Sequence, residues 1–251
     1  MIKTGLVSVT FRKLSPEEVI ELVAKAGLDG IEWGGDIHVP HGDIVKARDI
    51  AEKTKDAGLC VASYGSYYAL GCEKDKNLPF EKVLESAVAL EAPVIRIWAG
   101  RMASANADEA YWDMAISESR RIADMSMKQG IKIAYEYHPN TLTDTSESTF
   151  KLLNEVDHSN IYSYWQRPFE LTKEECIKSI DKISPWLNNI HTYYYEDRVR
   201  KPLADGINEW EEFIKTIKKI EGDRYCMIEF VVDNEPKQFL EDAKALKEIV
   251  K

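Results

Sequence analysis

A short apolar or aromatic run, a polar turn and a segment with helical periodicity follow one another eight times along the chain. Successive runs begin 25 to 37 residues apart, which leaves room for one strand and one helix in each unit. Chains built from such units form parallel sheets that are covered by helices. The predicted strands begin near Gly5, Gly30, Leu59, Val94, Ile131, Ile161, Asn189 and Arg224.

The number of units favours a closed barrel over a doubly wound open sheet, which is the alternative. Eight units match a (β/α)₈ barrel, and 251 residues is an ordinary length for that fold. The segment after the first predicted strand, TFRKLSPEE, lacks the GxGxxG turn of a nucleotide-binding open sheet. No linker or low-complexity tract divides the sequence. We therefore predict an α/β protein with one TIM barrel domain over residues 1–251.

Two of the predicted helices carry complete start signals. In SPEEVIELVAKAG, Ser15 is the expected N-cap, Glu18 completes a capping box and Gly27 ends the helix. In TKEECIKSIDKI, Thr172 and Glu175 repeat the capping box. These signals place two helix starts from the sequence alone.

The charge balance limits the kinds of partner. The chain has 33 basic and 43 acidic residues, a formal net charge of −10, which argues against a broad surface for nucleic acid. No apolar run approaches the ~18 residues of a membrane span. The first residues, MIKTGLVSVTF, lack the hydrophobic region of a signal peptide. We expect a cytoplasmic protein that binds a small molecule, with neither nucleic acid nor a membrane as partner.

The four cysteines do not form a CxxC pair, and a chain of this size needs no disulfides. We expect buried thiols, with Cys60 and Cys226 inside strands. Homo-oligomerisation is left open, because dimers and tetramers are common in such folds but an interface cannot be identified in one sequence.

Polar residues follow four consecutive predicted strands at the end where a barrel of this kind has its active site. Two carboxylates, one amide and one imidazole form an oxygen-rich set with a single nitrogen, which suits Mn²⁺, Mg²⁺ or Zn²⁺. A metal ion would offset the cost of burying two carboxylates together. Each residue alone is more typical of a salt bridge or a core position, so the prediction depends on the joint pattern. The predicted ligands are Glu136, Gln166, His191 and Glu229.

The first four predicted strands end in aromatic and basic residues, which favours a wall for substrate binding. Aromatic faces suit the apolar face of a sugar, and arginine or histidine can bind hydroxyls, a carboxylate or a phosphate. Packing in the core is the alternative for the aromatic residues, and solvation is the alternative for the loop arginines. The predicted substrate-binding residues at these strand ends are Trp33, His38, Arg96 and Trp98; His138 after the fifth strand, and Arg198 and Arg200 in the loop after the seventh, complete the set.

Six segments together resemble the xylose isomerase-like TIM barrel superfamily, in particular its sugar phosphate isomerase/epimerase branch. The resemblance spans nearly the whole chain and is specific for the fold and the metal site but not for the substrate. The superfamily also contains ketose 3-epimerases, hydroxypyruvate isomerase, inosose dehydratase and endonuclease IV. The segments are GIEWGGDIHVPHGD, IRIWAGR, YEYHPN, YWQRP, NIHTYYY and MIEFVVDN.

The resemblance implies metal ligands at Glu136, His191 and Glu229, whereas Gln166 stands where the family usually has aspartate. It also implies that Glu136 and Glu229 are catalytic and move protons on either side of a substrate whose enediolate the metal stabilises. The metal is open among Mn²⁺, Mg²⁺, Zn²⁺ and Co²⁺. An amide at Gln166 adds no charge and is expected to weaken metal binding.

The function expected from this resemblance is a metal-dependent isomerase or epimerase of a sugar or sugar derivative, in carbohydrate metabolism. One alternative is a dehydratase similar to inosose dehydratase, because the same enediolate can expel a hydroxyl group. Another is a sugar-binding barrel with weakened catalysis, which Gln166 would explain. An endonuclease is disfavoured by the acidic balance and by the presence of only five histidines.

Overall fold

Eight parallel strands close into a barrel, as predicted from the repeated units. The computed structural model describes residues 1–251, apart from the side chain of Lys74. The barrel strands are β1 (Ile2–Val7), β2 (Gly30–Gly34), β3 (Cys60–Ala69), β4 (Val94–Trp98), β5 (Lys132–Tyr135), β6 (Ile161–Trp165), β7 (Leu187–Thr192) and β10 (Arg224–Ile228). Strand β1 closes the ring by pairing with both β2 and β10.

Helices on the outside of the barrel connect the strands. They are α1 (Pro16–Ala26), α2 (Ile44–Asp56), α3 (Glu73–Lys76), α4 (Phe80–Ala89), α5 (Glu109–Met127), α6 (Ser146–Val156), α7 (Lys173–Ile183), α8 (Ile207–Ile217) and α9 (Pro236–Ile249). Both predicted capping boxes are present. The Ser15 hydroxyl accepts a hydrogen bond from the Glu18 amide at 3.2 Å, and Gly27 ends α1 in the left-handed conformation. Thr172 and Glu175 form the second box at the start of α7.

A hairpin formed by β8 (Tyr194–Glu196) and β9 (Val199–Lys201) follows β7, where the sequence suggests a loop. Its two turn residues, Asp197 and Arg198, both have positive φ angles, 50° and 62°. Tight hairpin turns with this geometry usually contain glycine. The Asp-Arg pair carries no such signal, so the hairpin could not be recognised from the sequence.

Side chains alternate between the inside and the outside of the barrel, and this alternation produces two separate apolar layers. The outer layer packs the strands against the helices and includes Leu6, Ile31, Trp33, Ile133 and Trp165. The inner layer fills the barrel and includes Val7, Ala62, Val94, Ala134 and Met227. The polar residues described below lie above the inner layer, at the C-terminal ends of the strands.

The four cysteines are free thiols, and they differ in exposure. Cys176 and Cys226 are buried as expected. Cys60 is exposed because it is the first residue of β3, so the prediction of a buried thiol is wrong at this position. None of the described helices combines the length and the hydrophobicity that crossing a lipid bilayer requires.

Replacing the N-cap of α1 tests the link between sequence and fold. We expect Ser15→Ala to lower the free energy of unfolding by about 0.5–2 kcal/mol, because the Glu18 amide loses its acceptor. Thermal or urea denaturation measures this change. Glu21→Ala, on the exposed face of the same helix, is the control and should have a much smaller effect; equal effects of the two changes would contradict the role of the cap.

Candidate metal and substrate site

Four donor atoms from neighbouring strands converge at the C-terminal end of the barrel. Glu136 and Gln166 directly follow β5 and β6, His191 lies in β7, and Glu229 directly follows β10. His191 Nδ1 lies 3.3 Å from Gln166 Oε1, 3.3 Å from Glu229 Oε2 and 3.8 Å from Glu136 Oε1. Ligand atoms of Glu136, His191 and Glu229 all lie within 4.8 Å of one another. The structure therefore brings the four predicted ligands together.

The same pocket contains a third carboxylate that the sequence reasoning missed. Glu32 of β2 is fully buried and points into the barrel, where its Oε1 lies 3.4 Å from His191 Nε2. Glu136 and Glu229 are only 3% and 5% exposed, and Arg96, at 1%, is the one arginine paired with this group in the described part of the chain. When His191 is neutral, as metal binding requires, one guanidinium leaves two of the three carboxylate charges without compensation; without metal, protonation of His191 offsets one of them.

Arg96 connects two of the carboxylates. Its Nε donates to Glu32 Oε1 at 2.7 Å, and its Nη1 donates to Glu136 Oε2. Burial disfavours the guanidinium charge, but Glu32, Tyr67 and Glu229 together with Tyr164 outweigh this effect and raise the pKa of Arg96. The pKa of Glu32 is held well below its usual range, because Arg96 and His191 outweigh the penalty of burial. Arg96, predicted to bind substrate, therefore uses two of its nitrogens inside the protein.

The two predicted catalytic carboxylates have different surroundings. Glu136 Oε2 receives hydrogen bonds from Arg96 and from Trp98 Nε1, the latter at 2.5 Å, whereas Oε1 faces His191. Glu229 faces His191 and takes no hydrogen bond from any arginine or tryptophan that the structure describes. Burial opposes its negative charge, but His191 and the nearby charge of Arg96 together outweigh burial and lower the pKa of Glu229.

The backbone around both glutamates is fixed although neither residue lies within a strand. The Glu136 amide donates to Ile97 O at 2.9 Å, and the Glu229 amide donates to Thr192 O at 3.0 Å. Phe230 adopts a φ of 61°, which is rare for a bulky residue, and its amide donates to Thr10 Oγ1 at 3.0 Å. This turn sets the direction in which the preceding carboxylate points.

The donor set fits a divalent metal ion. Three oxygens and one imidazole nitrogen match the preference of Mn²⁺, Mg²⁺, Zn²⁺ or Co²⁺, and the two uncompensated negative charges equal the charge of such an ion. Gln166 contributes an oxygen without adding a third excess charge. The residues that would hold the ion are Glu136 through Oε1, Gln166 through Oε1, His191 through Nδ1 and Glu229 through Oε2.

Aromatic rings lie beside these ligands. Trp98 stacks on His138 with 4.7 Å between ring centroids and contacts the edge of Tyr67 at 5.5 Å. Tyr67 has a φ of 55° and covers the Arg96 guanidinium at 4.9 Å. Tyr67 is not among the substrate-binding residues predicted from the sequence. Together the three rings form a partly exposed aromatic wall next to Glu136.

His138 presents one free ring nitrogen beside this wall. Its Nδ1 lies 2.7 Å from the carbonyl oxygen of Pro139, which can only accept, so the hydrogen must be on Nδ1 and the lone pair on Nε2. Burial lowers the pKa of His138, so the ring is neutral near pH 7. Its role in substrate binding stays a prediction, and an Nε2 lone pair beside the aromatic rings is compatible with that role.

The structure contradicts the predicted roles of Trp33 and His38. Trp33 is fully buried on the outside of β2, where it packs edge to face with His38 at 5.8 Å. His38 is 2% exposed, and its ring nitrogens contact Ser8 Oγ at 2.9 Å and Leu14 O at 3.2 Å. Both residues belong to the packing between the barrel and its covering segments.

The two loop arginines lie on the hairpin. Arg198 is at its tip, with a 76% exposed side chain that pairs with Glu170 at 2.9 Å. Arg200 donates to Val231 O and Asn234 Oδ1, each at 3.0 Å, and thereby ties the hairpin to the segment after Glu229. Arg200 is thus near the site, whereas Arg198 is turned to solvent.

Residues 20–249 match the family described as "Xylose isomerase-like TIM barrel". Because the match covers most of the sequence, the chain belongs to this family. The resemblance proposed from the six segments is therefore confirmed.

The similar proteins carry names of two enzyme classes. A 3-dehydroshikimate dehydratase from Bacillus anthracis is 23% identical, with 93% of this chain and 92% of that protein covered. A crystal structure of a probable 3-DHS dehydratase from the same organism has a TM-score of 0.83 at 22% identity, covering 98% and 99% of the two chains. A D-psicose 3-epimerase from Clostridium cellulolyticum H10 has a TM-score of 0.74 at 17% identity over the whole of both chains. At these identities the structural likeness shows the fold.

Metal binding should depend on pH through His191. Burial opposes protonation of this ring, but Glu229 and Glu32 outweigh burial and raise the pKa of His191 to about 9. A metal ion needs the neutral imidazole, so it must displace a proton, and affinity should increase as the pH rises toward 9. We expect Mn²⁺ to bind more tightly at pH 8 than at pH 6, with proton release in calorimetry. An affinity that does not change over this range would contradict ligation by His191.

Proposed function

We propose that the protein is a metal-dependent enzyme that removes a proton from the carbon next to a carbonyl group in a small polyhydroxylated substrate. The observation that carries this proposal is the group of buried donor atoms of Glu136, Gln166, His191 and Glu229, around which two carboxylate charges remain uncompensated when His191 is neutral. When bound, a divalent cation supplies the positive charge that a carbonyl oxygen needs as it becomes an enolate oxygen.

The protein's own residues divide the remaining work. Glu229 is the base that we assign to proton removal, because its lowered pKa keeps it ionised and its carboxylate is not shared with an arginine. Glu136 is held in place by Arg96 and Trp98 and keeps one oxygen directed at His191. Trp98 and Tyr67 provide flat surfaces for the carbon skeleton, and His138 Nε2 can accept a hydrogen bond from a substrate hydroxyl.

Dehydration is the outcome that the site supports best. Epimerisation through two faces of one carbon uses one base on each face, whereas Glu136 is already engaged by Arg96 and Trp98. Elimination needs one base only: Glu229 takes the proton, the C–H electrons form the carbon–carbon double bond, and the hydroxyl group leaves with that proton as water. The similarity to a dehydratase over 93% of this chain supports the same choice.

Epimerisation or isomerisation of a ketose is the second candidate. It is favoured by the arrangement of Glu136 and Glu229, because a carboxylate oxygen of each lies within 4.8 Å of the other and of a ring nitrogen of His191. Two carboxylates at one carbonyl can serve opposite faces of a substrate. The chain shares its fold with a D-psicose 3-epimerase, and this likeness supports epimerisation as a candidate.

Product mass separates the two reactions. We expect the Mn²⁺-loaded protein to convert 3-dehydroshikimate, or a related hydroxylated ketone, with loss of one water, whereas D-psicose, D-tagatose and D-fructose should stay unchanged. Glu229→Gln should lower turnover by at least about 100-fold, the lower range for loss of a general base. Glu235→Gln, an exposed change nearby, is the control. An epimer of unchanged mass would favour the second candidate, and binding without turnover would favour a sugar-binding protein.

Changing Gln166 tests the charge balance of the ligand set. Gln166→Asp adds a third excess negative charge, so we expect tighter Mn²⁺ binding and a lower melting temperature before metal is added. Gln166→Leu removes the donor oxygen and should weaken binding without adding charge. Calorimetric titration and thermal melting with and without Mn²⁺ measure both effects. Equal affinities of the two variants would exclude Gln166 as a ligand.

A further inference from the structure

Glu32 lies on the side of His191 opposite the other predicted metal ligands, next to the ring edge that carries Nε2. Its Oε1 is 3.4 Å from His191 Nε2, an ion-pair contact that falls short of hydrogen-bond geometry, and Nε2 has no hydrogen-bond partner among the described residues. Nδ1 of the same ring faces Gln166 and Glu229 at 3.3 Å each. Glu32 is fully buried, and it is not one of the three described residues, Glu136, His191 and Glu229, whose ligand atoms lie within 4.8 Å of one another. A buried carboxylate without a catalytic role requires an explanation, because burying a charge is costly.

The position of Glu32 beside Nε2 favours a hydrogen on that nitrogen of His191. An ionised carboxylate can only accept hydrogen bonds, so it favours a hydrogen on Nε2. The neutral ring then has its lone pair on Nδ1, which is the nitrogen that faces the donor oxygens. Carboxylates behind metal-binding histidines commonly fix the ring in this way.

Glu32 is itself held from two sides. Ser63 Oγ donates to its Oε2 at 2.6 Å, and Arg96 Nε donates to its Oε1 at 2.7 Å. Gly65 leaves the space that this arrangement needs: a Cβ atom there would lie 2.8 Å from Arg96 Nη2 and 2.9 Å from Glu32 Oε1. The carboxylate therefore has one orientation, and the chain provides room for it.

We propose that Glu32 is a positioning residue that holds His191 as the tautomer with hydrogen on Nε2, so that Nδ1 is available for a divalent cation. This inference rests on the proposed function, because it concerns the same site. It assigns to Glu32 a hydrogen-bond acceptor role that is separate from its charge. Glu32 acts through His191 and is not assigned to any step of the reaction.

Two substitutions separate the acceptor from the charge. Glu32→Gln removes the charge but keeps a carbonyl oxygen that can accept from His191 Nε2, while Glu32→Leu removes both. We expect Glu32→Leu to weaken Mn²⁺ binding by about 10–100-fold, as is typical for loss of a partner behind a ligand. Glu32→Gln should lose less than about 10-fold, so that the amide largely rescues binding. Titration followed by electron paramagnetic resonance of free Mn²⁺ measures both affinities.

The tautomer is measured directly by long-range ¹H–¹⁵N NMR of the Zn²⁺-loaded protein, in which only five histidines contribute signals. The wild-type protein and Glu32→Gln should show hydrogen on Nε2 of His191, assigned by the signals that His191→Asn removes. Ligation through Nε2 in the wild-type protein would overturn the proposal even if Glu32→Leu fails to fold. Equal losses in Glu32→Gln and Glu32→Leu would also overturn it, because charge alone would then explain the effect.

Failure of this inference is distinguishable from failure of the proposed function. A wild-type protein that binds Mn²⁺ through Nδ1 but converts no substrate would contradict the function and support the role of Glu32. A wild-type protein that turns over substrate, with unchanged affinity in Glu32→Leu, would contradict the role of Glu32 alone. Absence of divalent-cation binding by the wild-type protein would overturn both.

Discussion

The mutual repulsion of three buried carboxylates is the constraint on which the site depends. Glu32, Glu136 and Glu229 lie inside the barrel around His191, and Arg96 pairs with Glu32 and Glu136. Electrostatic energies in such a poorly solvated place are large, so the excess charge determines what the site can bind. A divalent cation is the simplest partner that restores neutrality. An aspartate in place of Gln166 would leave an excess charge even with the cation bound.

Most of the fold could be predicted from local signals in the sequence. Eight repeated units gave the barrel, and capping boxes gave the starts of α1 and α7, because these features depend on nearby residues. The candidate ligands Glu136, His191 and Glu229 could be grouped from the sequence because a barrel brings the ends of its strands together, and the structure places their ligand atoms within 4.8 Å of one another. The hairpin was not found because its turn residues, Asp197 and Arg198, adopt positive φ angles without glycine.

The errors in the site have one main physical cause, which is the alternation of side chains along a strand. In β2, Trp33 was predicted to face the substrate, but Glu32 occupies the inner face, so Trp33 must face the helices. A difference of one residue moves a side chain from the barrel interior to the outer layer. The sequence has no signal in GIEW that identifies the inward residue, because a buried glutamate is recognised only through partners that lie far along the chain. Its partners Arg96 and His191 are 64 and 159 residues away in the sequence.

The barrel divides the two tasks of the site between its two halves. The later strands, β5, β6, β7 and β10, supply the donor atoms, whereas β2 and β4 supply Glu32, Arg96 and Trp98, which set charge and orientation around them. Substitutions of Glu32, Arg96 or Trp98 can change the charges and hydrogen bonds around Glu136 and Glu229 without removing a predicted ligand. Proteins named as a probable dehydratase and as an epimerase share this fold at low sequence identity, so the fold alone does not determine the reaction. In this chain, Arg96 and Trp98 engage Glu136 but not Glu229, and that asymmetry supports the proposed elimination with Glu229 as the base.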